Sequence, residues 1–596
     1  MPIYRAPVDE MMFLLGDVFQ IARYNNLPGF ADVSADVLAA ILGEAGKFSE
    51  EVVQPLNRTG DQEGCVRDPD GSVRTPKGFK EAYRQYAAGG WMGISAPTEF
   101  GGQGLPATLT TIVNEMLGSA NMAFAMYPGL TQGAIAALLG HGSREQKALY
   151  LPPLIEGRWS GTMNLTEPHC GTDLGLLRTK ATKQADGTYA ITGTKIFISA
   201  GEHDLSENIV HLVLARTEGA PAGIHGTTLF IVPKFIPNPD GSLAGRNGVS
   251  CGSIENKMGI HANATCVMNY ESAKGFRIGE ENRGINAMFT MMNEARLGVG
   301  VQGLAISEVA YQNAAAYARE RLQGRALTGA KFPDKPADPI IVHPDVRRML
   351  MTMRAFNEAG RALLIWTALQ ADVARRSADE KVRASAEDHM GLLTPVIKAM
   401  LTEGGFANAV TAQQIYGGHG YIAEHGIEQF VRDARISMIY EGTNGIQALD
   451  LVGRKLARDG GRALQSFAGE IHAYIDAHGT GALAPYAGPL GAALGRLREA
   501  TTWLVQNALG NPDNAGAAAA DYLNLLGLVA LAYMWCRMVE AANARLAAGG
   551  EGTERFRAKL TTARFFMERM LPETGAQLAR IQAGAASMME LPAEAF

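Results

Sequence analysis

The hydrophobic pattern of this chain changes its period twice, and that change restricts the fold more than any other feature. Up to about residue 160 and again after residue 275, apolar residues recur three and four positions apart, which is typical of amphipathic helices. Residues 161–275 instead hold short β-branched segments bounded by turn residues, such as TYAITGTKIFISAG and GTTLFIVPKF. That pattern predicts strands of a sandwich or barrel. The strands do not alternate with helical segments, so a doubly wound parallel sheet is not expected.

The order of these segments predicts an α+β protein of several domains. We expect an N-terminal helical domain at residues 1–160, a middle β domain at 161–275, a helical domain at 276–458 and a helical extension at 459–596. A chain of 596 residues is too long for a single hydrophobic core, which agrees with this division. The Pro- and Gly-rich segment 477–491 predicts a loop inside the extension.

Charge and composition argue against several kinds of partner. The net charge of −6 lacks the basic face that nucleic-acid binding requires, so no nucleic-acid partner is expected. The five cysteines form no CxxC pair and the histidines form no HExxH motif, so no metal site is expected. Scattered cysteines also fit a reducing compartment, and we therefore expect a cytoplasmic protein.

The longest apolar run, Leu525 to Cys536, is shorter than the roughly 20 residues that span a membrane. We expect a buried helix there and no stable insertion into a membrane. The N-terminal segment carries acids within its apolar stretch and lacks a basic start, so neither a signal peptide nor a transit peptide is expected.

The segment GVGVQG, residues 298–303, matches the GxGxxG fingerprint of dinucleotide binding. That fingerprint requires a strand before it, whereas the preceding residues here are Met-rich and helical in pattern. Small residues that let two helices approach closely are the favoured interpretation.

Three segments concentrate residues suited to cofactor chemistry. TEPHCGTD (166–173) joins a hydroxyl-bearing turn to a Gly-Thr-Asp loop, and KIFISAG (195–201) is a strand that ends in small residues. The segment 413–447 contains YGGHGY, whose paired glycines allow backbone to come close to a ligand, and IYEGT. Glu441 of IYEGT is either a solvated acid at a helix start, where it would suit the helix dipole, or a base in a dry pocket.

Together with ERLQGR (320–325) and RDARI (432–436), these motifs resemble the acyl-CoA dehydrogenase family in their order and spacing. The resemblance covers roughly residues 40–458. It implies a helical domain, a β-barrel or sandwich domain and a four-helix bundle, followed here by the helical extension. It also implies an FAD-dependent enzyme that oxidises an acyl-CoA thioester.

The resemblance assigns FAD contacts to several parts of the chain. The residues it implies are Leu165 and Thr166 at the flavin ring, Gly171 and Thr172 at the pyrophosphate, Phe197, Ile198 and Ser199 flanking the ring, Thr443 at the ADP portion, and Arg321, Gln323, Gln414, Gly417 and Gly418 at the FAD of a neighbouring subunit. Phe197 replaces the Trp common in the family, which keeps an apolar stacking surface and loses an indole N–H. A shared site implies at least a homodimer, with a tetramer as the alternative.

Glu441 stands at the position of the family's catalytic base. The α-proton of a thioester is only weakly acidic, so a carboxylate must stand at the α-carbon, and burial should raise its pKa. The resemblance implies that Glu441 takes this proton while flavin N5 accepts the β-hydride. It also implies that the Glu441 N–H and an FAD ribityl hydroxyl bind the thioester oxygen. Some relatives carry the base on another helix, just before the arginine that is Arg296 here. That position is Ala295 in this chain, and Glu294, one residue away, is the alternative, although Glu441 is favoured.

Four residues are expected on the substrate side: Thr172, Arg296, Tyr440 and Arg454. Arg296 either supports the substrate or forms a structural salt bridge. Arg454 is expected to hold the CoA or the loop. An electron-transfer flavoprotein is the electron acceptor that the resemblance implies.

The helical extension and the N-terminal segment YRAPVDEMMFLL resemble an extended bacterial subgroup of the family. Overall likeness within it favours 3-(methylthio)propionyl-CoA as the substrate, in dimethylsulfoniopropionate demethylation. A general short- or medium-chain acyl-CoA dehydrogenase and an acyl-CoA oxidase are alternatives. A non-catalytic DNA-associated flavoprotein is disfavoured, because residues 459–596 hold no basic run.

Overall fold

The computed structural model describes residues 2–549 and 552–596. The chain forms two compact units. One unit comprises residues 45–298, and the other joins the chain before residue 45 to the chain from residue 299 onward. The unit of residues 45–298 therefore contains the predicted β domain, and the other unit contains most of the helices after it.

Helices dominate the described chain outside the β domain. The α-helices are α1 (Val8–Phe13), α2 (Ala35–Phe48), α3 (Pro55–Glu63), α4 (Phe79–Ala88), α5 (Ala107–Ala120), α6 (Met122–His141), α7 (Arg144–Ile155), α8 (Gly284–Glu320), α9 (Pro344–Arg376), α10 (Glu380–Tyr416), α11 (Gly418–Tyr421), α12 (Glu428–Arg435), α13 (Asn444–Asp450), α14 (Arg462–His478), α15 (Ala484–Asn507), α16 (Pro512–Ala548), α17 (Thr553–Phe565), α18 (Glu573–Ala583) and α19 (Ala586–Met589).

In the described chain, the strands all lie in the unit of residues 45–298. They are β1 (Val66–Arg67), β2 (Val73–Arg74), β3 (Trp159–Asn164), β4 (Lys180–Lys183), β5 (Tyr189–Ser199), β6 (Asn208–Thr217), β7 (Thr228–Pro233), β8 (Phe235–Pro237), β9 (Leu243–Arg246), β10 (Val249–Ile254) and β11 (Thr265–Ile278).

Five of these strands close into a ring. β5 pairs antiparallel with β4 and β11, β4 runs parallel to β6, and β7 pairs antiparallel with both β6 and β11. β10 extends the ring beside β11, and β3 runs parallel to β6. The ring encloses a buried core that includes Ile191, Val213, Phe230, Cys266 and Met268. The predicted strand-rich domain is thus confirmed, and of the two predicted alternatives, sandwich and barrel, it is a barrel.

Helix α6 packs directly on β3 in this unit. A Cβ atom at Gly161 of β3 would lie only 2.4 Å from the Cβ of Ala134 of α6, so glycine is required for this close approach. Strand β3 is accordingly buried along almost its whole length. The contact fixes the start of the loop that follows β3.

In the helical unit, α8 packs closely against α10 through glycines. A Cβ at Gly303 would lie 2.3 Å from the Leu401 carbonyl oxygen, and one at Gly405 would lie 2.2 Å from the Gly303 carbonyl oxygen. The segment 298–303 therefore lies within a helix and serves close helix packing, as predicted, and it is not the turn of a dinucleotide fold.

The extension after residue 458 is helical. The run Leu525 to Cys536 lies in α16 and is buried, as predicted. The predicted loop 477–491 is wrong at both ends, because α14 extends to His478 and α15 begins at Ala484. Pro485 is tolerated there since the first turn of a helix needs no N–H donor. By length and composition α6 and α16 could each cross a membrane, but 67% of the apolar window of each is buried inside the protein.

Candidate active site

The loop after β3 is anchored by Glu167, a carboxylate that is only 3% exposed. Lys195 Nζ of β5 donates to Glu167 Oε1 at 2.9 Å, and the Thr179 hydroxyl donates to the same oxygen at 2.6 Å. The backbone N–H groups of Arg178 and Thr179 donate to the carboxylate at 2.8 and 2.9 Å. Burial favours the neutral acid, but Lys195 and these donors outweigh it and leave the pKa of Glu167 below its usual value.

Lys195 also fixes the backbone of the loop. It is fully buried, and its Nζ donates to the Leu165 carbonyl at 2.9 Å. One residue further, the Ile196 N–H donates to the Thr166 carbonyl at 2.9 Å. Burial lowers the pKa of Lys195 to about 8, so the side chain is still a cation at neutral pH. The residues predicted at the flavin ring, on the loop and on β5, are therefore brought together by these contacts.

Phe197 presents an aromatic ring on a strained backbone. Its φ of 59° is in the left-handed region that side chains other than glycine rarely adopt. The side chain is 59% exposed, although Ile198 beside it is buried. Strain of this kind costs roughly 1–3 kcal/mol and persists where the surrounding structure imposes it, often at ligand sites. An exposed apolar ring held in this way is a suitable surface for a planar ligand.

The TEPHCGTD loop also contains a cluster of possible metal ligands. Ligand atoms of Glu167, His169 and Cys170 lie within 4.8 Å of one another. The Glu167 oxygens already accept the four hydrogen bonds given above, and His169 Nε2 is hydrogen bonded to the Leu176 carbonyl at 2.9 Å. These contacts account for the cluster without an ion.

In the helical unit, the ends of α8 and α10 meet through aromatic residues. The rings of Tyr317 and Tyr416 stack at 4.0 Å between centroids, and the Tyr317 hydroxyl is hydrogen bonded to His419 Nδ1 at 2.8 Å. This contact brings together the two groups of residues predicted to reach a neighbouring FAD. All five are exposed: Arg321, Gln323, Gln414, Gly417 and Gly418.

Glu441 lies in a turn that ends where α13 begins. It is half-buried rather than fully buried, and its φ is 57°. Gly442 follows with a φ of 82°, and the Thr443 hydroxyl caps α13 by accepting from the Ile446 N–H at 3.2 Å. Thr443 is exposed at this cap. The turn therefore holds the carboxylate on a backbone that a Glu does not readily adopt.

Two residues predicted on the substrate side, Tyr440 and Arg454, lie near this turn in the sequence. Tyr440 donates its hydroxyl hydrogen to Gln302 of α8, and burial raises the pKa of Tyr440. Arg454 is 55% exposed and its Nε donates to Asp450 Oδ1 at 2.6 Å, one helical turn earlier. An interaction between Arg454 and CoA therefore stays a prediction.

Arg296 and Glu294 lie on the part of α8 that belongs to the unit of residues 45–298. Arg296 is buried and Glu294 is half-buried. The sequence pattern does not predict this difference in burial, because both residues fall on the same Met-rich helix. The substrate-side role of Arg296 stays a prediction.

Models of the domains of one family match successive parts of the chain. The acyl-CoA dehydrogenase N-terminal domain matches residues 38–158, the middle domain 162–273 and the C-terminal domain 282–456. A fourth model, acetyl-CoA dehydrogenase C-terminal like, matches residues 467–592.

Curated relatives match nearly the whole chain. A 3-methylmercaptopropionyl-CoA dehydrogenase of Ruegeria pomeroyi is 46% identical over 97% of this chain and 98% of its own. The chain belongs to the acyl-CoA dehydrogenase family. The broad-specificity linear acyl-CoA dehydrogenase FadE5 of Mycobacterium tuberculosis is 35% identical over the full length of both chains. The structure of an acyl-CoA dehydrogenase of Bacillus anthracis complexed with FAD has the same fold, with a TM-score of 0.74 and 23% identity over 92% of this chain and 88% of that one.

As an acyl-CoA dehydrogenase, this chain is an FAD-dependent oxidoreductase. The β-domain residues predicted to contact FAD have the chemical groups that this cofactor requires. Phe197 offers an exposed ring, Thr166 and Thr172 offer hydroxyls, and Gly171 is exposed with its Cβ position only 3.3 Å from the Thr166 methyl group. A planar ring system and a pyrophosphate require such a combination of apolar surface, hydroxyl groups and accessible backbone.

Sequence reasoning missed the residues that hold these segments in place. They are Lys195, Glu167 and two glutamines, Gln302 and Gln447. The first pair had a usable signal, since a charged residue inside an apolar strand requires a partner. The glutamines had none, because an amide in a helix is ordinary at any exposure.

Proposed function

We propose that this acyl-CoA dehydrogenase oxidises 3-(methylthio)propionyl-CoA to 3-(methylthio)acryloyl-CoA, as a step of dimethylsulfoniopropionate demethylation, with Glu441 as the base. The observation that carries the substrate proposal is the 46% identity to the Ruegeria pomeroyi enzyme over nearly the full length of both chains. The likeness includes the extension as well as the domains that the family's other models match. A relative of that length and identity supports a shared substrate class.

The proposed roles follow from the chemistry of the bond that is oxidised. One hydrogen leaves the α-carbon as a proton, the other leaves the β-carbon as a hydride, and a carbon–carbon double bond forms between them. FAD supplies the hydride acceptor, at flavin N5. The Glu441 carboxylate takes the proton, and its backbone N–H is the proposed donor to the thioester oxygen, where negative charge develops. The left-handed turn at Glu441 supports this assignment, because it holds the acid in a conformation that must be imposed.

The cofactor contacts proposed for the β domain are those on the anchored loop and on β5. Leu165 and Thr166 are tied to β5 by the bonds from Lys195 and Ile196, which supports a common surface with Phe197. The exposed residues at the ends of α8 and α10 are proposed to reach the FAD of a second subunit. On that proposal the enzyme is a homodimer or a tetramer.

Substrate preference tests the proposal directly. We expect kcat/KM to be highest for 3-(methylthio)propionyl-CoA and lowest for octanoyl-CoA. Pentanoyl-CoA, in which a methylene replaces the sulfur, is the matched control, and butyryl-CoA is one atom shorter. One methylene is worth about 1–3 kcal/mol in an apolar pocket, so butyryl-CoA is expected to be slower by about 10- to 200-fold. Pentanoyl-CoA keeps the chain length and is expected to be slower by a smaller factor. A preference for octanoyl-CoA would show a general acyl-CoA dehydrogenase instead, which the similarity to FadE5 favours as the second candidate.

An electron-transfer flavoprotein is the proposed electron acceptor. We expect the acyl-CoA to support reduction of that protein and to cause little oxygen consumption when no acceptor is added. An oxygen electrode measures the second quantity. Oxygen uptake at the rate of substrate oxidation would identify an acyl-CoA oxidase.

A further inference from the structure

The turn that carries Glu441 has two successive residues in the left-handed region. Glu441 has a φ of 57° and Gly442 a φ of 82°. For a residue with a side chain, that conformation is unfavourable. A turn of this kind keeps one shape only if neighbouring groups hold it.

Gln447 makes the contacts that can hold the turn. It is fully buried in α13, and its Nε2 donates to the Glu441 carbonyl at 3.2 Å and to the Gly442 carbonyl at 3.3 Å. Both acceptors are carbonyl oxygens, which assigns the NH₂ side of the amide to the turn. A single side chain therefore binds the carbonyls of both left-handed residues.

Gly442 fits this arrangement in a second way. A Cβ atom at this position would lie 2.7 Å from Gln447 Nε2, closer than side chains approach each other. Glycine is thus required both by the positive φ and by the approach of the amide. The turn and Gln447 are complementary in shape as well as in hydrogen bonding.

The start of α13, one turn before Gln447, is tied to α10. Asn444 Oδ1 accepts from the buried Lys398 Nζ at 2.8 Å. Asn444 Nδ2 donates to the Ala399 carbonyl at 3.2 Å and to the Thr402 hydroxyl at 3.1 Å. The helix that carries Gln447 is therefore fixed to the helical bundle at its first residue.

We infer that Gln447 is a positioning residue for the reaction, which fixes the direction of the Glu441 carboxylate by clamping the turn to α13. This inference rests on the proposed role of Glu441 as the base. Gln447 itself touches neither substrate nor cofactor in the proposal and acts through the backbone of the turn.

A packing role alone does not explain an amide at this position. Within the described chain, Gln447 Oε1 is buried and has no hydrogen-bond partner. A buried acceptor without a partner is unfavourable, and an apolar side chain of the same size would avoid it. The amide is explained by its two N–H donors to the turn.

The test is Gln447→Met, which keeps the length of the side chain and removes the donors. In the FAD-loaded enzyme we expect the rate of flavin reduction by the acyl-CoA substrate to fall about 10- to 100-fold, because a displacement of about 1 Å can have that effect. FAD content is expected to change less than about threefold, since the side chain that is replaced makes none of the contacts proposed for FAD. The isotope effect with α-deuterated substrate should increase, because proton removal becomes more strongly rate-limiting.

Gln577→Met is the matched control. Gln577 is another buried glutamine of the helical unit, in α18 of the extension, and its Oε1 is also buried without a partner in the described chain. This variant is expected to reduce its flavin at the wild-type rate. If both variants slow equally, the effect of Gln447→Met is a general loss of packing and the inference is overturned.

A second variant keeps the inference testable if Gln447→Met does not fold. Gly442→Ala forces the turn and the amide apart, so it should lower the reduction rate and raise the isotope effect in the same way. Wild-type reduction by either folded variant, or slower reduction with an unchanged isotope effect, would overturn the inference. Failure of the proposed base is a separate result, because Glu441→Gln would then reduce its flavin normally whatever Gln447→Met does.

Discussion

Replacing Glu441 by Gln is expected to abolish the bleaching of FAD by an acyl-CoA while the cofactor stays bound. The amide has the size of the acid and leaves the backbone N–H in place, but it cannot accept the α-proton. General base catalysis contributes about 10²- to 10⁴-fold, so we expect flavin reduction to slow by at least that factor. Anaerobic mixing of the FAD-loaded variant with substrate, followed by the flavin absorbance, measures this rate.

Glu294→Gln is the matched control for that experiment. Glu294 is also half-buried, and it is the alternative base that the family resemblance suggests. The Glu294 variant is expected to bleach within a few-fold of the wild-type rate. Fast bleaching by the Glu441 variant together with slow bleaching by the Glu294 variant would transfer the role of base to Glu294.

Much of the fold could be predicted because buried positions hold apolar residues, which recur at the period of the helix or strand that carries them. The β-branched segments after residue 161 became strands, and the apolar run Leu525 to Cys536 became the buried centre of α16. The closure of the β ring could not be predicted, because the parallel pairing of β4 with β6 joins residues far apart in sequence. The loop predicted at 477–491 was wrong because Pro485, in the first turn of α15, and Pro489, further inside the same helix, look in the sequence like prolines of a loop.

The sequence predicted only those residues of the candidate site that lie in recognisable motifs. Glu441 and Phe197 were selected by resemblance, but their left-handed backbone was not visible, since neither residue type favours that region. The residues that hold the site segments in place are even harder to predict from the sequence. Lys195 and Glu167 are 28 residues apart, and only the pairing of the loop with β5 makes them neighbours.

The second large effect is expected for Lys195→Met in the β domain. The methionine fills the space of the lysine but leaves the Glu167 carboxylate buried without its cation. Breaking a buried ion pair in this way costs about 3–5 kcal/mol. The Leu165 carbonyl also loses its donor, so the loop proposed to contact the flavin ring is released. We expect a variant that retains little FAD and unfolds at a lower urea concentration.

Lys274→Met is the control for this variant. Lys274 pairs with Asp186 at 3.0 Å in the same unit, but both side chains are largely exposed, at 40% and 55%. Exposed pairs contribute about 0–1 kcal/mol, so this variant should keep its FAD and its urea midpoint. Similar losses in the two lysine variants would show that the burial of Lys195 has no special effect.

The pH dependence of the Lys195→Met defect identifies its cause. In the wild type the pKa of Glu167 is below its usual value, so the contribution of Glu167 to stability is present above pH 4.5 and is lost as the pH falls through the folded-state pKa. In the variant, the unpaired buried acid should have a raised pKa, and protonation then relieves the defect. The difference in the free energy of unfolding between the two proteins is therefore expected to be widest near pH 7 and to narrow toward pH 4. Adding Glu167→Gln to Lys195→Met should recover part of the stability without recovering FAD, because the buried charge is gone and the amide oxygen can still accept from Thr179, while the Leu165 carbonyl still lacks its donor. A difference that stays constant with pH would attribute the defect to packing and not to the buried carboxylate.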